Sequence, residues 1–198
     1  MRNVPPIIIL GPTASGKSQL AIKLAKAIEG EIVNADAMQI YKGLDVGTGK
    51  LKPERWEGVR HHLLSFVEPD QSYSAGMYRK DCLKILKEIQ GRGRVPVIVG
   101  GTGFYIRTLL KGLAEIPPIP QDLRKNINRL ISLYGKEYFY RFLAFLDPVY
   151  SKKISINDKQ RIERALEVIL YSGKPFSKFF RDEMSREDAF TNIKIGLF

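Results

Sequence analysis

The segment Gly11-Pro12-Thr13-Ala14-Ser15-Gly16-Lys17-Ser18 constrains the fold more strongly than any other part of this chain. It has the spacing G-x-x-x-x-G-K-[ST], in which the glycines let successive backbone N–H groups converge on one anion. The apolar run Ile7–Leu10 precedes it and predicts a buried parallel strand, and residues 19–29 follow with the apolar spacing of a helix packed on a sheet. This setting predicts a di- or triphosphate site at a strand-to-helix junction.

Two side chains of this segment have predicted roles of their own. Lys17 would reach the terminal phosphate oxygens, and the hydroxyl of Ser18 would ligate a magnesium ion. The first turn of the following helix adds a partial positive charge of about half an elementary unit. All eight residues, Gly11 to Ser18, are therefore candidate diphosphate- or nucleotide-binding residues.

The first half of the chain alternates strands and helices. Further strands are predicted at residues 32–34 and 95–99, and further helices at residues 75–90, with Ser74 as N-cap, and from Gly103 onwards. This alternation predicts an α/β fold of the P-loop NTPase type, a parallel sheet with helices on both faces.

The pattern changes at Pro117-Pro118-Ile119-Pro120. Three apolar stripes of helical spacing follow, ended by Gly135, by Asp147-Pro148 and by Gly173, and the last residues have the character of another strand. We therefore expect a core at residues 1–115, a small all-helical insertion at 116–188 and a return strand of the core at 189–198.

Composition limits the classes of partner and compartment. No apolar stretch approaches the roughly 20 residues of a membrane span, and the chain enters a strand too early for a signal peptide. Cys82, the only cysteine, lies on an apolar helix stripe, which favours a buried thiol and a cytoplasmic protein. The net charge of +11 suits a polyanionic partner, although a generic basic surface would explain it equally well.

Asp36 is the candidate for acid–base chemistry. It ends the second strand and would lie at the carboxyl edge of the sheet, beside the phosphate loop. A carboxylate there can act as a general base or ligate magnesium, and the alternative is an ordinary strand-end or helix-capping aspartate. The position beside the phosphate site favours a functional role.

The strand at residues 95–99 runs into Gly100-Gly101-Thr102-Gly103 and has no terminal aspartate. ATPases usually offer an aspartate there to hold magnesium, so its absence weakens an ATP-hydrolysing role. Thr102 is a candidate for contact with a ligand, unless the segment is a simple strand-to-helix turn.

Two polar clusters remain open from the residues alone. Gln160, Arg161 and Arg164 share the polar side of the third helix in the insertion and could face nucleic acid, but a solvated face with an Arg164–Glu167 pair is the commoner arrangement. The pair His61-His62 has no cysteine or acidic cluster at ligand spacing, which indicates a loop without a metal site.

Together these segments resemble the tRNA dimethylallyltransferases (isopentenyltransferases) along nearly the whole chain. The matching segments are residues 11–18, 34–48, 60–64, 73–74, 99–106 and 158–167. A phosphate loop alone is shared by many families, whereas this ordered set is specific. Ala37 departs from the family, which generally has serine after the aspartate. The chain also lacks about a hundred residues of helix that family members carry after this point, about one small domain, so we expect a truncated chain or a fragmentary gene product.

The resemblance implies a reaction and its partners. The phosphate loop would hold the diphosphate of dimethylallyl diphosphate, with Mg²⁺, and the prenyl group would pass to N6 of the adenosine 3′ to the anticodon of a tRNA. Asp36 would accept the N6 proton, and Lys17 and Thr102 would complete the catalytic set. We expect a cytoplasmic monomer that binds the anticodon stem-loop. The implied tRNA-contacting residues are Asp36, Ala37, Met38, Gln39, Thr102, Arg124, Gln160, Arg161, Ile162, Glu163 and Arg164.

Three other functions stay open on the residues alone. They are a small-molecule or nucleotide kinase on the same fold, a prenyltransferase acting on free adenine nucleotides, and a non-catalytic RNA-binding fragment.

Overall fold

Five parallel strands form the sheet around which the first of two compact units is built, in the order β3-β2-β4-β1-β5. The computed structural model describes residues 4–180 and 187–198. The expected insertion at 116–188 therefore includes six residues, 181–186, that lie outside the described part. The strands are β1 (Ile7–Leu10), β2 (Gly30–Asn34), β3 (His61–His62), β4 (Val95–Gly100) and β5 (Ile193–Gly196).

Helices cover both faces of this sheet. Alternate strand residues point to opposite faces, so Ile7, Ile9 and Ile32 pack with one helix, while Ile8 and Val33 pack with two others. Together with the parallel pairing, this makes the first unit a P-loop NTPase-like α/β fold, as predicted. The helices of this unit are α1 (Lys17–Ala27), α2 (Ala75–Gly91) and α3 (Gly103–Lys111), of which α1 lies alone on its face.

The second compact unit begins at Leu113 and is helical in its described part. Its helices pack around a core of its own, centred on the fully buried Leu143, Ile162 and Leu166. Residues 187–198 belong to the first unit, where β5 pairs with β1. The helices of the second unit are α4 (Gln121–Tyr134), α5 (Lys136–Leu146), α6 (Pro148–Ser151) and α7 (Lys159–Ser172), followed by a 3-10 turn at Phe176–Phe180.

Helix boundaries follow the capping chemistry of the sequence. Ser74 caps α2 by accepting a hydrogen bond from the Met77 N–H, as predicted. Asp158 caps α7 in the same way through the Arg161 N–H. Gly173 ends α7 in the left-handed conformation, with φ of 67°, where glycine has no steric penalty. Local sequence therefore fixes where these helices begin and end.

The prediction of a loop at His61-His62 is wrong. The two residues form β3, an edge strand in register with Ile32 and Val33 of β2. Two residues are too few to show the alternation of apolar and polar side chains that indicates a strand. They form a strand because their backbones pair with β2. The short helix α6 was not predicted for a similar reason, since it is a single turn capped by the Asp147 carboxylate.

Candidate active site

The phosphate loop leads from β1 directly into α1, because the lysine of the motif is already the first residue of the helix. Gly16 has φ of 84° and is the N-cap of α1, so the helix begins at Lys17, two residues before the predicted start. A left-handed residue at this position turns the backbone sharply. The ammonium of Lys17 donates to the carbonyl of Pro12. The lysine therefore closes back across the loop that the motif predicts to hold phosphate.

Ser15 provides a second indication that this loop is shaped for a ligand. Its hydroxyl oxygen is buried and has no hydrogen-bond partner among the described residues. Buried polar atoms in proteins are normally hydrogen-bonded, and an unpaired one often marks a ligand or water position. Ser15 and Ser18 both line the cavity described below.

Asp36 follows β2 and is held in a turn by its neighbours. Its backbone N–H donates to Asn34 Oδ1 at 3.1 Å, while Asn34 Nδ2 donates to the Leu63 carbonyl at 2.9 Å. One carboxylate oxygen, Oδ1, accepts from the Met38 N–H at 2.9 Å. Within residues 4–180 and 187–198, Oδ2 has no hydrogen-bond donor. Asp36 therefore has one oxygen fixed by the fold and one available.

The ends of β2 and β4 approach each other unusually closely beside Asp36. A Cβ placed on Gly100 would lie 2.2 Å from the carbonyl oxygen of Ala35, so only glycine fits there. The Thr102 N–H donates to the same carbonyl at 3.2 Å. Thr102 Oγ1 accepts from the Ala37 N–H at 2.9 Å. Thr102 thus joins the start of α3 to the turn that carries Asp36.

A cavity of about 380 Å³ opens at this edge of the sheet, within the first unit. It brings together the phosphate loop from Thr13 to Ser18, the side chain of Asp36 and that of Gln39. The rest of its lining combines polar residues, Gln19, Asn34 and Thr48 among them, with an apolar part that we call the apolar wall. That wall includes Ala21, Ile32, Leu51, His61 and Leu64.

Part of the stretch that follows Asp36 is held by hydrogen bonds within the first unit. Gln39 Nε2 donates to the Thr48 carbonyl at 2.8 Å, which tethers the loop between them. Ala37 is half-buried, whereas the Met38 side chain is exposed. Of the predicted contact residues in this stretch, Met38 is the one whose side chain faces solvent most.

His61 is one of several cavity residues to which the sequence interpretation gave no role. Its ring stacks on Trp56 with centroids 4.5 Å apart and planes 25° apart, and Nδ1 lies 2.9 Å from the Val59 carbonyl. Burial lowers the pKa of His61 below its usual value, against the opposing hydrogen bond to Val59. The ring is therefore neutral at neutral pH. In the sequence, only the spacing of five residues between Trp56 and His61 accompanies this contact, and no known motif has that spacing.

In the second unit, the polar side of α7 is built as a chain of ion pairs. Glu167 accepts from Arg164 at 2.9 Å and lies 3.6 Å from Arg124 Nε. Glu163 lies 3.4 Å from Lys159 and accepts from Asn128 at 2.9 Å. The Arg164–Glu167 pair that the sequence left open is thus formed.

Two further residues of this helix differ in their exposure. Arg161 is exposed and lies 3.3 Å from Asp158, and Gln160 is exposed as well. Ile162 departs from the predicted contact set, because its side chain is fully buried in the core of the second unit. It sits on the apolar face of α7, opposite Gln160 and Arg164, and supports the helix.

No cluster of three or more His, Cys, Asp or Glu side chains able to hold a metal occurs in residues 4–180 and 187–198. In the same described part, no helix is long and apolar enough to cross a membrane.

Comparisons with known proteins agree with this geometry. Residues 39–197 match the model of the IPP transferase family. The chain is 42% identical over 191 residues to a tRNA dimethylallyltransferase of Geobacter sulfurreducens, covering 96% of this chain and 61% of the relative. It is 42% identical over 195 residues to that of Methylococcus capsulatus, covering 98% and 62%. The chain thus spans about three fifths of the length of these curated relatives.

Solved structures give the same result. The chain resembles a eukaryotic dimethylallyltransferase acting on tRNA with a TM-score of 0.81 and 28% identity, covering 98% of this chain and 48% of that one. It resembles a tRNA isopentenylpyrophosphate transferase from Staphylococcus epidermidis with a TM-score of 0.58 and 36% identity, covering 98% and 63%. By the match to the family model over residues 39–197 and by its identity to these relatives, the chain belongs to the IPP transferase family.

Proposed function

We propose that the whole protein transfers the dimethylallyl group from dimethylallyl diphosphate to N6 of the adenosine 3′-adjacent to the anticodon in tRNA and releases diphosphate. The observation that carries this proposal is one cavity that holds both the phosphate loop and Asp36. The names of the relatives support it, and the curated ones exceed this chain in length.

The phosphate loop would bind the leaving group. As the bond between the allylic carbon and the diphosphate oxygen breaks, negative charge grows on diphosphate, where the loop amides and Lys17 can stabilise it. Lys17 would exchange its bond to the Pro12 carbonyl for one to phosphate. The unpaired Ser15 hydroxyl offers a further donor.

Asp36 would act as the general base. The adenine amine is a weak nucleophile because its lone pair is delocalised into the ring. As the new nitrogen–carbon bond forms, a proton must leave N6, and Asp36 Oδ2 is the acceptor that the fold leaves open. General-base catalysis of this kind typically contributes about 10²–10⁴-fold. Thr102 would hold the turn of Asp36 in place.

The residues at the phosphate loop fit a hard divalent cation, for which we propose Mg²⁺. Ser18 offers a hydroxyl ligand at this cavity, and Mg²⁺ usually takes few protein ligands and completes its shell with phosphate and water. The ion would supply charge neutralisation of the diphosphate.

The tRNA would contact both units. In the first, we propose Asp36 to Gln39 and Thr102 as the contact residues at the target base. In the second, we propose Arg124, Gln160, Arg161, Glu163 and Arg164, with Ile162 supporting the helix from its buried side. The net charge of +11 gives such a surface a long-range attraction for RNA. We place the protein in the cytoplasm, in keeping with its single buried, unpaired thiol.

A direct assay tests the proposal. The purified chain is incubated with labelled dimethylallyl diphosphate and an anticodon stem-loop with adenosine at the target position. We expect label in the RNA and diphosphate released in equal amount. A stem-loop with guanosine at that position is the matched control. Phosphate transfer from ATP without prenyl transfer would favour the kinase instead, and label on free adenine nucleotide alone would favour the nucleotide prenyltransferase.

A further inference from the structure

The apolar wall of the active-site cavity is fixed by one side chain that does not itself line the cavity. Trp56 stacks on the ring of His61 and donates from Nε1 to the Leu51 carbonyl at 3.1 Å. His61 and Leu51 both line the cavity, whereas Trp56 lies behind them. Trp56 is the only tryptophan in the sequence.

A tight turn brings these two aromatic rings together. The Val59 N–H donates to the Trp56 carbonyl at 2.9 Å, and Glu57 and Gly58 have φ of 50° and 78°. The Val59 carbonyl in turn lies 2.9 Å from Nδ1 of His61. A carbonyl can only accept, so Nδ1 carries the proton of the neutral ring. The fold thus sets both the position and the tautomer of His61.

A second set of contacts anchors the same strand from its other face. His62 Nε2 lies 2.6 Å from Glu31 Oε2, and Arg92 donates to both oxygens of Glu31 at 3.1 and 2.8 Å. Successive side chains of a strand point to opposite faces. His61 therefore faces the cavity while its neighbour ties β3 to β2 and to the end of α2. Side chains on both faces of β3 are therefore held by contacts within the fold.

We propose that His61 and Leu51 form the subsite for the hydrocarbon chain of the prenyl diphosphate, and that Trp56 is the positioning residue that limits that chain to five carbons. This inference rests on the proposed function. The cavity of about 380 Å³ must hold the diphosphate, the hydrocarbon and the reacting edge of adenine. A neutral, stacked ring and a leucine side chain in the same cavity as the phosphate loop suit an uncharged hydrocarbon. A fixed wall leaves little room for a second isoprene unit.

Calorimetric binding of three probes to the purified chain tests this subsite: inorganic diphosphate, dimethylallyl diphosphate and geranyl diphosphate. Each buried methylene strengthens binding about fourfold. We therefore expect dimethylallyl diphosphate to bind at least about tenfold more tightly than inorganic diphosphate, and geranyl diphosphate about tenfold more weakly than dimethylallyl diphosphate. Equal affinities for inorganic and dimethylallyl diphosphate would overturn the proposal.

Variants separate the subsite from a merely structural wall. In His61→Ala the selectivity against geranyl diphosphate should fall to within about twofold, with inorganic diphosphate binding unchanged. Trp56→Phe keeps a stacked ring but loses the donor to Leu51, and it should lose part of the selectivity. Arg55→Ala, an exposed change in the adjacent turn, is the control. If these variants bound all three probes more weakly by the same factor, or kept the parental selectivity, the apolar wall would play no part in selecting the length of the prenyl chain.

Fluorescence of the parental chain gives a test that needs no variant. Because Trp56 is the only tryptophan and stacks on a cavity residue, dimethylallyl diphosphate should change its emission and inorganic diphosphate should change it much less. If neither inorganic diphosphate nor dimethylallyl diphosphate bound, the proposed function would be overturned. Binding of inorganic diphosphate without this difference would overturn the subsite alone.

Discussion

The hydroxyl oxygen of Thr102 accepts a hydrogen bond of 2.9 Å from the backbone N–H of Ala37. The bond joins residues that are 65 positions apart in the chain and fixes the turn directly after Asp36. Since Thr102 also donates through its own N–H to the Ala35 carbonyl, it holds the turn at two points. The sequence predicts a ligand contact for the Thr102 hydroxyl, and the structure gives that hydroxyl a structural contact as well.

Thr102→Val tests this link. Valine keeps the shape but removes the acceptor, which leaves the Ala37 N–H unpaired and loosens the turn that aims Asp36. We expect turnover to fall about tenfold to a hundredfold with little change in inorganic diphosphate affinity, since small misplacement of a catalytic group is costly. Single-turnover prenylation of a stem-loop measures it. Thr102→Ser should restore most of the rate, and a valine variant with parental turnover would contradict the role.

Asp36→Asn tests whether Asp36 acts as the general base or only helps to bind a substrate or metal ion. The amide keeps an oxygen for the Met38 N–H, so the turn and the free energy of unfolding should stay near parental. It cannot take the N6 proton, and we expect single-turnover prenylation to slow by about 10²–10⁴-fold. Thermal unfolding and binding of dimethylallyl diphosphate are the controls. Weakened magnesium-dependent diphosphate binding with normal chemistry would make Asp36 a metal ligand instead.

Lys17→Ala tests the assignment of the phosphate loop to the leaving group. The cation that would meet the departing diphosphate is removed, and loss of one preorganised electrostatic contact typically costs about 10²–10³ in rate. Binding of inorganic diphosphate should weaken, while binding of the anticodon stem-loop should stay within about twofold. Lys23→Ala, on the exposed side of α1, is the matched control. Near-parental turnover in Lys17→Ala would contradict the assignment.

The sequence predicted the sheet and the phosphate loop because their signals are local. Ile7–Leu10 is a continuous apolar run beside a specific motif, and its strand forms with the predicted bounds. Ser74 and Gly173 are capping residues whose chemistry acts within one helical turn. Such elements need no knowledge of the rest of the chain.

The apolar wall of the cavity could not be predicted in the same way. His61 reaches the cavity because β3 pairs with β2 across about thirty residues, and a two-residue strand leaves no pattern. Leu51 and Trp56 meet through a backbone carbonyl, which the sequence does not encode as a motif. The contact segment carried over by resemblance is contiguous and therefore includes Ile162, whose side chain lies on the buried face of its helix.

Glu31→Gln tests the anchor behind β3 through its dependence on pH. Burial opposes the ionisation of Glu31, but hydrogen bonds from Arg92 and His62 outweigh it and hold the pKa below its usual value. A carboxylate with a lowered pKa stabilises the fold above its unfolded pKa of about 4.3, and this contribution is lost as pH falls through the folded pKa.

The expected loss in Glu31→Gln is about 1–3 kcal/mol of unfolding free energy at pH 7. The difference from the parental chain should begin to shrink as pH falls below the unfolded pKa of about 4.3, and it should disappear only below the lowered folded pKa, where both side chains are uncharged. Urea unfolding at a series of pH values measures it, with the exposed Glu54→Gln as control. A difference that stays constant down to pH 3 would show that the charge of Glu31 is not what stabilises the strand.

The polar side of α7 provides the test of the proposed tRNA-binding surface. In the double variant Arg161→Ala/Arg164→Ala, tRNA affinity should fall and its dependence on salt should flatten, because each lost phosphate contact lowers the log–log slope by about one. Affinity for dimethylallyl diphosphate should be unchanged, since the phosphate loop belongs to the other unit. Filter binding of a stem-loop at several salt concentrations measures both quantities.

A matched variant, Glu167→Gln, makes this test sharper. Glu167 now pairs with Arg164 and lies near Arg124, so its carboxylate competes with phosphate for both guanidinium groups. If these arginines bind RNA, removing that charge should strengthen tRNA binding severalfold, opposite in sign to the arginine variants. If the pair is only a solvated ion pair, worth about 0–1 kcal/mol to the fold, neither variant should change tRNA affinity or its salt slope. That pattern would remove α7 from the binding surface and leave the active-site cavity as the remaining evidence for a tRNA substrate.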